Sequence, residues 1–94
     1  MSSLTPDQVA LQLQDLEGWA LDGQSLVKTF EFADFASAIS FMTHVAFHCE
    51  ALEHHPHWSN VYNMITVRIG SSDQSAVQGR DVQLAKRMQA CFKG

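Results

Sequence analysis

The chain has 94 residues, 46% hydrophobic and 17% charged, with a formal net charge of −4 at pH 7. That length suits one domain, residues 1–94, with a single core, and the composition is globular rather than disordered. No basic run could neutralise phosphates and no apolar stretch approaches a membrane span, so neither nucleic acid nor membrane is an expected partner.

The segment Met1-Ser2-Ser3-Leu4-Thr5 has no basic flank or apolar signal core, which makes the cytoplasm the expected compartment. Cys49 and Cys91 lie in apolar helical patterns without a Cys-x-x-Cys spacing, which favours buried thiols over a disulfide.

Leu4-Thr5-Pro6-Asp7-Gln8-Val9 reads as a helix start: Thr5 caps, Pro6 suits the first position, Gln8 completes a capping box, and Leu4 can staple onto Val9. The helix is expected to run to about Leu16, with Gly18 as its stop. Trp19 to Leu21, a turn at Asp22-Gly23, and Leu26 to Phe32 then form a hairpin with Leu26, Phe30 and Phe32 on one face. Asp34 caps a long helix whose apolar positions Phe35, Ala38, Ile39, Met42, Val45, Ala46, Cys49 and Leu52 repeat at steps of three and four.

Pro56 cannot continue that helix, which puts His54 and His55 at a junction. The alternation from Val61 to Ile69 predicts a strand ended by Gly70-Ser71-Ser72, and a short extended piece around Ser75 to Gln78 adds a fourth. From Asp81, the residues Val82, Ala85, Met88 and Phe92 mark a closing helix, with Lys86, Arg87 and Lys93 toward its end. The expected class is α+β, an antiparallel sheet of about four strands with helices on one face.

The chemistry concentrates in Glu50 to Tyr62. Imidazole is the side chain that titrates near neutrality, so adjacent His54 and His55 are candidate acid and base groups. The blander reading is that two histidines finish a helix well because cations meet the negative end of its dipole. His44 and His48 are four apart on one helical face, a spacing metal helices use. With no Glu after His44 and no paired Cys, no metal is expected there.

Phe30-Glu31-Phe32-Ala33-Asp34-Phe35, Phe41-Met42 with Val45-Ala46, Glu50 with His54-His55-Pro56, Trp58, Asn60-Val61-Tyr62-Asn63, and Asp81 with Leu84-Ala85 together resemble the pterin-4a-carbinolamine dehydratases, without a gap from Phe30 to Ala85. The resemblance implies a reaction without cofactor or metal, in which 4a-hydroxytetrahydropterin loses water to give quinonoid dihydropterin. Carried over, His54 is an acid or base, His55 contacts substrate, and Trp58 is a pocket wall. Glu50, one helical turn before His54, orients an imidazole, while Pro56 and Asp81 complete the binding set. The resemblance also implies a homodimer or homotetramer, with strand edges paired across a two-fold axis.

One position departs from the family. Its third histidine, seventeen positions beyond the second, falls here on Ser72, and the glycine-rich turn that follows becomes Ser75-Ala76-Val77-Gln78. A serine hydroxyl does not shuttle protons at pH 7 without an activating base, so Ser72 is expected to bind rather than react. His57 could compensate only if the fold carried it into the pocket. Two functions follow: a dehydratase weakened at Ser72, or a catalytically silent relative that binds proteins. For the second the family offers a dimerisation cofactor of a homeodomain factor and carboxysome-associated Rubisco assembly factors.

Overall fold

The computed structural model describes residues 3–70 and 76–92. In chain order the elements are α1 (Pro6–Leu13), β1 (Ala20–Asp22), β2 (Ser25–Glu31), α2 (Phe35–Leu52), β3 (His57–Val61), β4 (Met64–Gly70) and α3 (Gly79–Cys91). The four strands form one antiparallel sheet in the order β1-β2-β4-β3. Alternation along the central strands sends Leu26, Phe30, Ile65, Val67 and Ile69 into the core beneath the helices, while Thr29, Thr66 and Arg68 face outward. The α+β class follows directly from this arrangement.

The start of α1 forms as its residues dictate. The Gln8 N–H donates to Thr5 Oγ1 (3.2 Å), and the Thr5 N–H donates to Gln8 Oε1 (2.9 Å). The helix ends at Leu13, short of Leu16, because the Asp15 and Leu16 N–H groups reach back only three residues, to the carbonyls of Gln12 and Leu13. That tightening turns Leu16 into the core.

The first hairpin is displaced by one residue from its expected register. Asp22 pairs with Ser25, so the turn is Gly23-Gln24 rather than Asp22-Gly23, with Gly23 at φ 63°. Gly70 ends β4 against this turn, where a Cβ would stand 2.7 Å from the Gln24 carbonyl oxygen and no side chain fits.

A larger correction concerns Val61 to Ile69. It is not one strand but the end of β3, a turn at Tyr62-Asn63, and β4. Tyr62 takes φ 52°, and Asn60 Nδ2 donates to the carbonyls of Tyr62 (2.9 Å) and Met64 (3.0 Å). Asn63 exchanges hydrogen bonds with Phe32, continuing the β2–β4 ladder past Glu31. Period-two alternation survives a two-residue turn, which hides the reversal. The fourth strand is therefore β3. Of the piece expected there, Ser75 lies outside the described residues and Gln78 makes an isolated bridge to Ser3.

Asp34 caps α2 as expected, accepting the Ser37 N–H at 2.8 Å, and that bond holds its carboxyl below the usual Asp range. The buried stripe of α2 is narrower than the periodicity suggests. Ala38, Phe41, Val45 and Cys49 are buried, whereas Phe35, Ile39 and Ala46 are exposed, as is Phe47 at 71%. Burial raises the Cys49 thiol above its ordinary pKa and keeps it protonated. In α3, Val82, Leu84, Ala85 and Met88 are buried; its last turn holds no basic residue, and Lys93 lies outside the described residues.

The core centres on Phe30. Its ring lies 4.9 Å from Phe41, 5.0 Å from Phe92 and 5.9 Å from Trp19, centroid to centroid, tying β2 to α2, to the end of α3 and to the chain entering β1. Lys28, on the same strand face, puts its Nζ 4.6 Å from the Phe30 centroid and donates to the Glu17 carbonyl and to Gln89 Oε1, each at 2.7 Å. The Trp19 indole N–H donates to the same Gln89 oxygen at 3.1 Å. Partial burial lowers the Lys28 pKa. Replacing Phe30 with Ala should cost about 3–5 kcal/mol, much of the stability of a domain this size; a loss under about 1 kcal/mol in a denaturant titration would contradict the central role of this ring.

Candidate functional site

The site forms where α2 stops. Glu53 adopts the left-handed conformation, φ 50° and ψ 44°, and the His54 N–H reverses to donate to the Cys49 carbonyl at 3.0 Å. This is a Schellman-type ending made without glycine. It turns the chain so that the His54 ring meets the first turn of α3, where His54 Nε2 hydrogen-bonds Asp81 Oδ1.

Asp81 is held from its other side. It is the third residue of α3, and its Oδ2 accepts the Gln78 N–H at 2.7 Å, which fixes the carboxylate at the helix start. Both side chains are withdrawn from water, with 16% exposure for His54 and 5% for Asp81. A carboxylate only accepts hydrogen bonds, so in this contact the His54 Nε2–H donates to Asp81 and Nδ1 is the ring nitrogen left over.

His55 diverges from His54. Its Nε2 meets Glu50 Oε2 at 3.0 Å, and both groups are largely exposed. The carboxylate one turn before His54 thus serves the second imidazole, because the left-handed Glu53 swings His54 toward α3. Pro56 is half-buried, and Trp58 packs partly buried against the core. His57 alternates with Trp58 along β3, opposite Arg68, and is exposed on the outward face of the sheet. It does not join His54. Ser72 lies outside the described residues.

The structure therefore brings His54 and Asp81 together and sets Glu50 with His55 beside them as an exposed pair. Asp81 was legible as the opening of a helix and as part of a binding set. Its contact with a histidine 27 residues away was not, because only the packing of α3 on α2 creates it.

The sequence model of the pterin 4 alpha carbinolamine dehydratase family matches residues 2–91. A relative from Opitutus terrae, by name a provisional pterin-4-alpha-carbinolamine dehydratase, is 44% identical over 87 residues, covering 92% of this chain and 90% of its own. A relative of the same provisional name from Sinorhizobium fredii is 43% identical over 93 residues, covering 97% and 89%. Among solved structures, a transcriptional coactivator/pterin dehydratase from Brucella melitensis superposes with a TM-score of 0.89 at 34% identity, covering 96% of this chain and 98% of that one. A pterin dehydratase-like protein identified as a RuBisCO assembly factor in the alpha-carboxysome shares the fold, with a TM-score of 0.66 at 17% identity over 81% of this chain and 88% of that one.

Removing the Asp81 carboxylate strands the His54 N–H and the Gln78 N–H together. Asp81→Ala should destabilise the fold by about 1–3 kcal/mol. A double-mutant cycle with His54→Ala should give a coupling of at least about 0.5 kcal/mol, and strictly additive losses would show that the two side chains do not support one another.

Proposed function

We propose that this chain, which belongs to the pterin-4a-carbinolamine dehydratase family, removes water from 4a-hydroxytetrahydropterin using His54 as its proton-transfer group. The observation that carries the proposal is the pairing of His54 with the buried Asp81. The departing 4a-hydroxyl needs a proton and the ring must lose one from nitrogen, so a group that both gives and takes protons near neutrality is required. With its Nε2–H donated to Asp81, His54 has Nδ1 as a base, and once protonated there it is an acid.

In this reading His55, oriented by Glu50, contacts substrate, and Pro56 and Trp58 form the wall beside it. Asp81 acts through His54 as a positioning residue. Ser72 supplies a hydroxyl in place of a second imidazole, so the enzyme works with one proton-transfer histidine and turns over slowly. As the resemblance implies, the substrate is a free small-molecule pterin, the setting is cytoplasmic, and the chain forms homodimers or homotetramers. The exposed Phe35, Ile39 and Phe47 of α2 and the edge strands β1 and β3 suit such an assembly. Light scattering at micromolar concentration should give twice or four times the 10.5 kDa chain mass; a monomer alone would count against it.

Ser72 favours a second reading, that of a silent relative acting on a protein client. Likeness to the Rubisco assembly factor supports this only at the level of fold. Direct assay with 4a-hydroxytetrahydropterin separates the two. His54→Ala should lower turnover by at least about a hundredfold, and Ser72→His should raise it by at least about tenfold, the scale on which a positioned acid or base acts. If neither wild type nor folded Ser72→His turns over or binds pterin, the dehydratase reading fails and the protein-binding one remains.

A further inference from the structure

We propose that His44 and His48 of α2 and Cys91 at the end of α3 form a Zn2+ site that clips the two helices together, distinct from the pterin site. One ligand atom from each of the three residues lies within 4.8 Å of the others, with His44 exposed and the other two half-buried. The two imidazoles project from successive turns of α2 with ring centroids 5.5 Å apart. They open onto a groove of about 500 Å³ between the helices, which Cys91, Lys86 and Arg87 also line. From sequence the histidine pair lacked a third ligand; the antiparallel packing of α3 on α2 supplies one from 43 residues further along.

The donor set selects the ion. Two imidazoles and a thiolate suit a borderline-soft cation such as Zn2+ and not the oxygen-seeking Mg2+ or Ca2+. Three protein ligands with water in the fourth position is the arrangement that catalytic zinc sites use, and here the three ligands come from both helices. Zinc–sulfur and zinc–nitrogen bonds of about 2.3 and 2.0 Å require the donors to close by roughly 1 Å, within reach of side-chain rotation. Arg87 Nη1 lies 3.2 Å from His48 Nδ1, so ligation through that nitrogen requires the guanidinium to move aside, and Cys91 ligates as the thiolate, releasing its proton.

Distance keeps this site apart from the first. Asp81 and Cys91 are both in α3, ten residues apart, which at 1.5 Å per residue is about 15 Å along the helix axis. A metal here would fasten the end of α3, next to Phe92 and its contact with Phe30, while the His54–Asp81 pair at the other end stays as it is. Its effect would be on stability, through preferential binding to the folded chain.

The test is titration of the purified full-length chain with Zn2+ in a chelator-free buffer, followed by calorimetry, with Co2+ as a spectroscopic probe. The expected result is one metal per chain, a thiolate-to-Co2+ charge-transfer band, and a higher melting temperature with Zn2+. Cys91→Ser should abolish the band and weaken binding more than about a hundredfold, beyond the loss of an outer-shell partner. His44→Gln, at an exposed position where folding is not at risk, should weaken binding to a similar degree. No binding at micromolar Zn2+, or equal binding by wild type and the folded His44→Gln variant, overturns the site, including the case in which His54 or His55 holds the metal.

Discussion

The left-handed turn at Glu53 is the constraint from which the site follows. Pro56 bars His55 from helical geometry, but it does not decide where α2 ends or which way the chain leaves. Glu53 does, at φ 50°, by letting the His54 N–H close onto the Cys49 carbonyl. A helix carried one residue further would have left His54 one turn above Glu50, on an exposed face. Reversing at Glu53 turns it across to α3 and gives it a buried carboxylate. A non-glycine residue in this region costs about 1–2 kcal/mol, and the well-packed ends of α2 and α3 hold it there.

That arrangement depends in turn on α3 lying where it does. The helix is fixed at its start by Asp81 on the Gln78 N–H and toward its end by Gln89, whose amide oxygen receives both Trp19 and Lys28. Phe92 then enters the cluster around Phe30. Lys28 is the informative member of this set. It occupies a core-facing strand position, which a lysine tolerates because its stem lies over Phe30 and its ammonium finds two oxygens. Burying aromatic rings thus sets the position of α3, and α3 sets the partner of His54.

Local rules made much of the fold legible. The Thr5 and Asp34 caps, the element order and the core face of β2 all depend on residues close in sequence. The misreadings share one cause. Alternation continues across Tyr62-Asn63 because a two-residue turn preserves its period, so a hairpin looks like one strand. Helical periodicity marked Phe35, Ile39 and Ala46 as core, although α2 packs against α3 and the sheet along one stripe only and they lie off that line. For the site, His54, His55, Pro56 and Trp58 were visible as a cluster, whereas the pairing of His54 with Asp81 and of His55 with Glu50 required the path of the chain.

Two carboxylates serving two adjacent imidazoles divide the work between them. His55 and Glu50 meet in water, where an ion pair contributes little to stability and exchanges readily with solvent or ligand. His54 and Asp81 meet with little water near them, where the hydrogen bond is stronger and its loss leaves polar groups stranded. The exposed pair can therefore give way to an incoming ligand at small cost, while the buried pair keeps its geometry through that exchange. This difference in burial supports the proposal that His55 contacts substrate and His54 transfers protons, on grounds independent of the order in which they occur in the family motif.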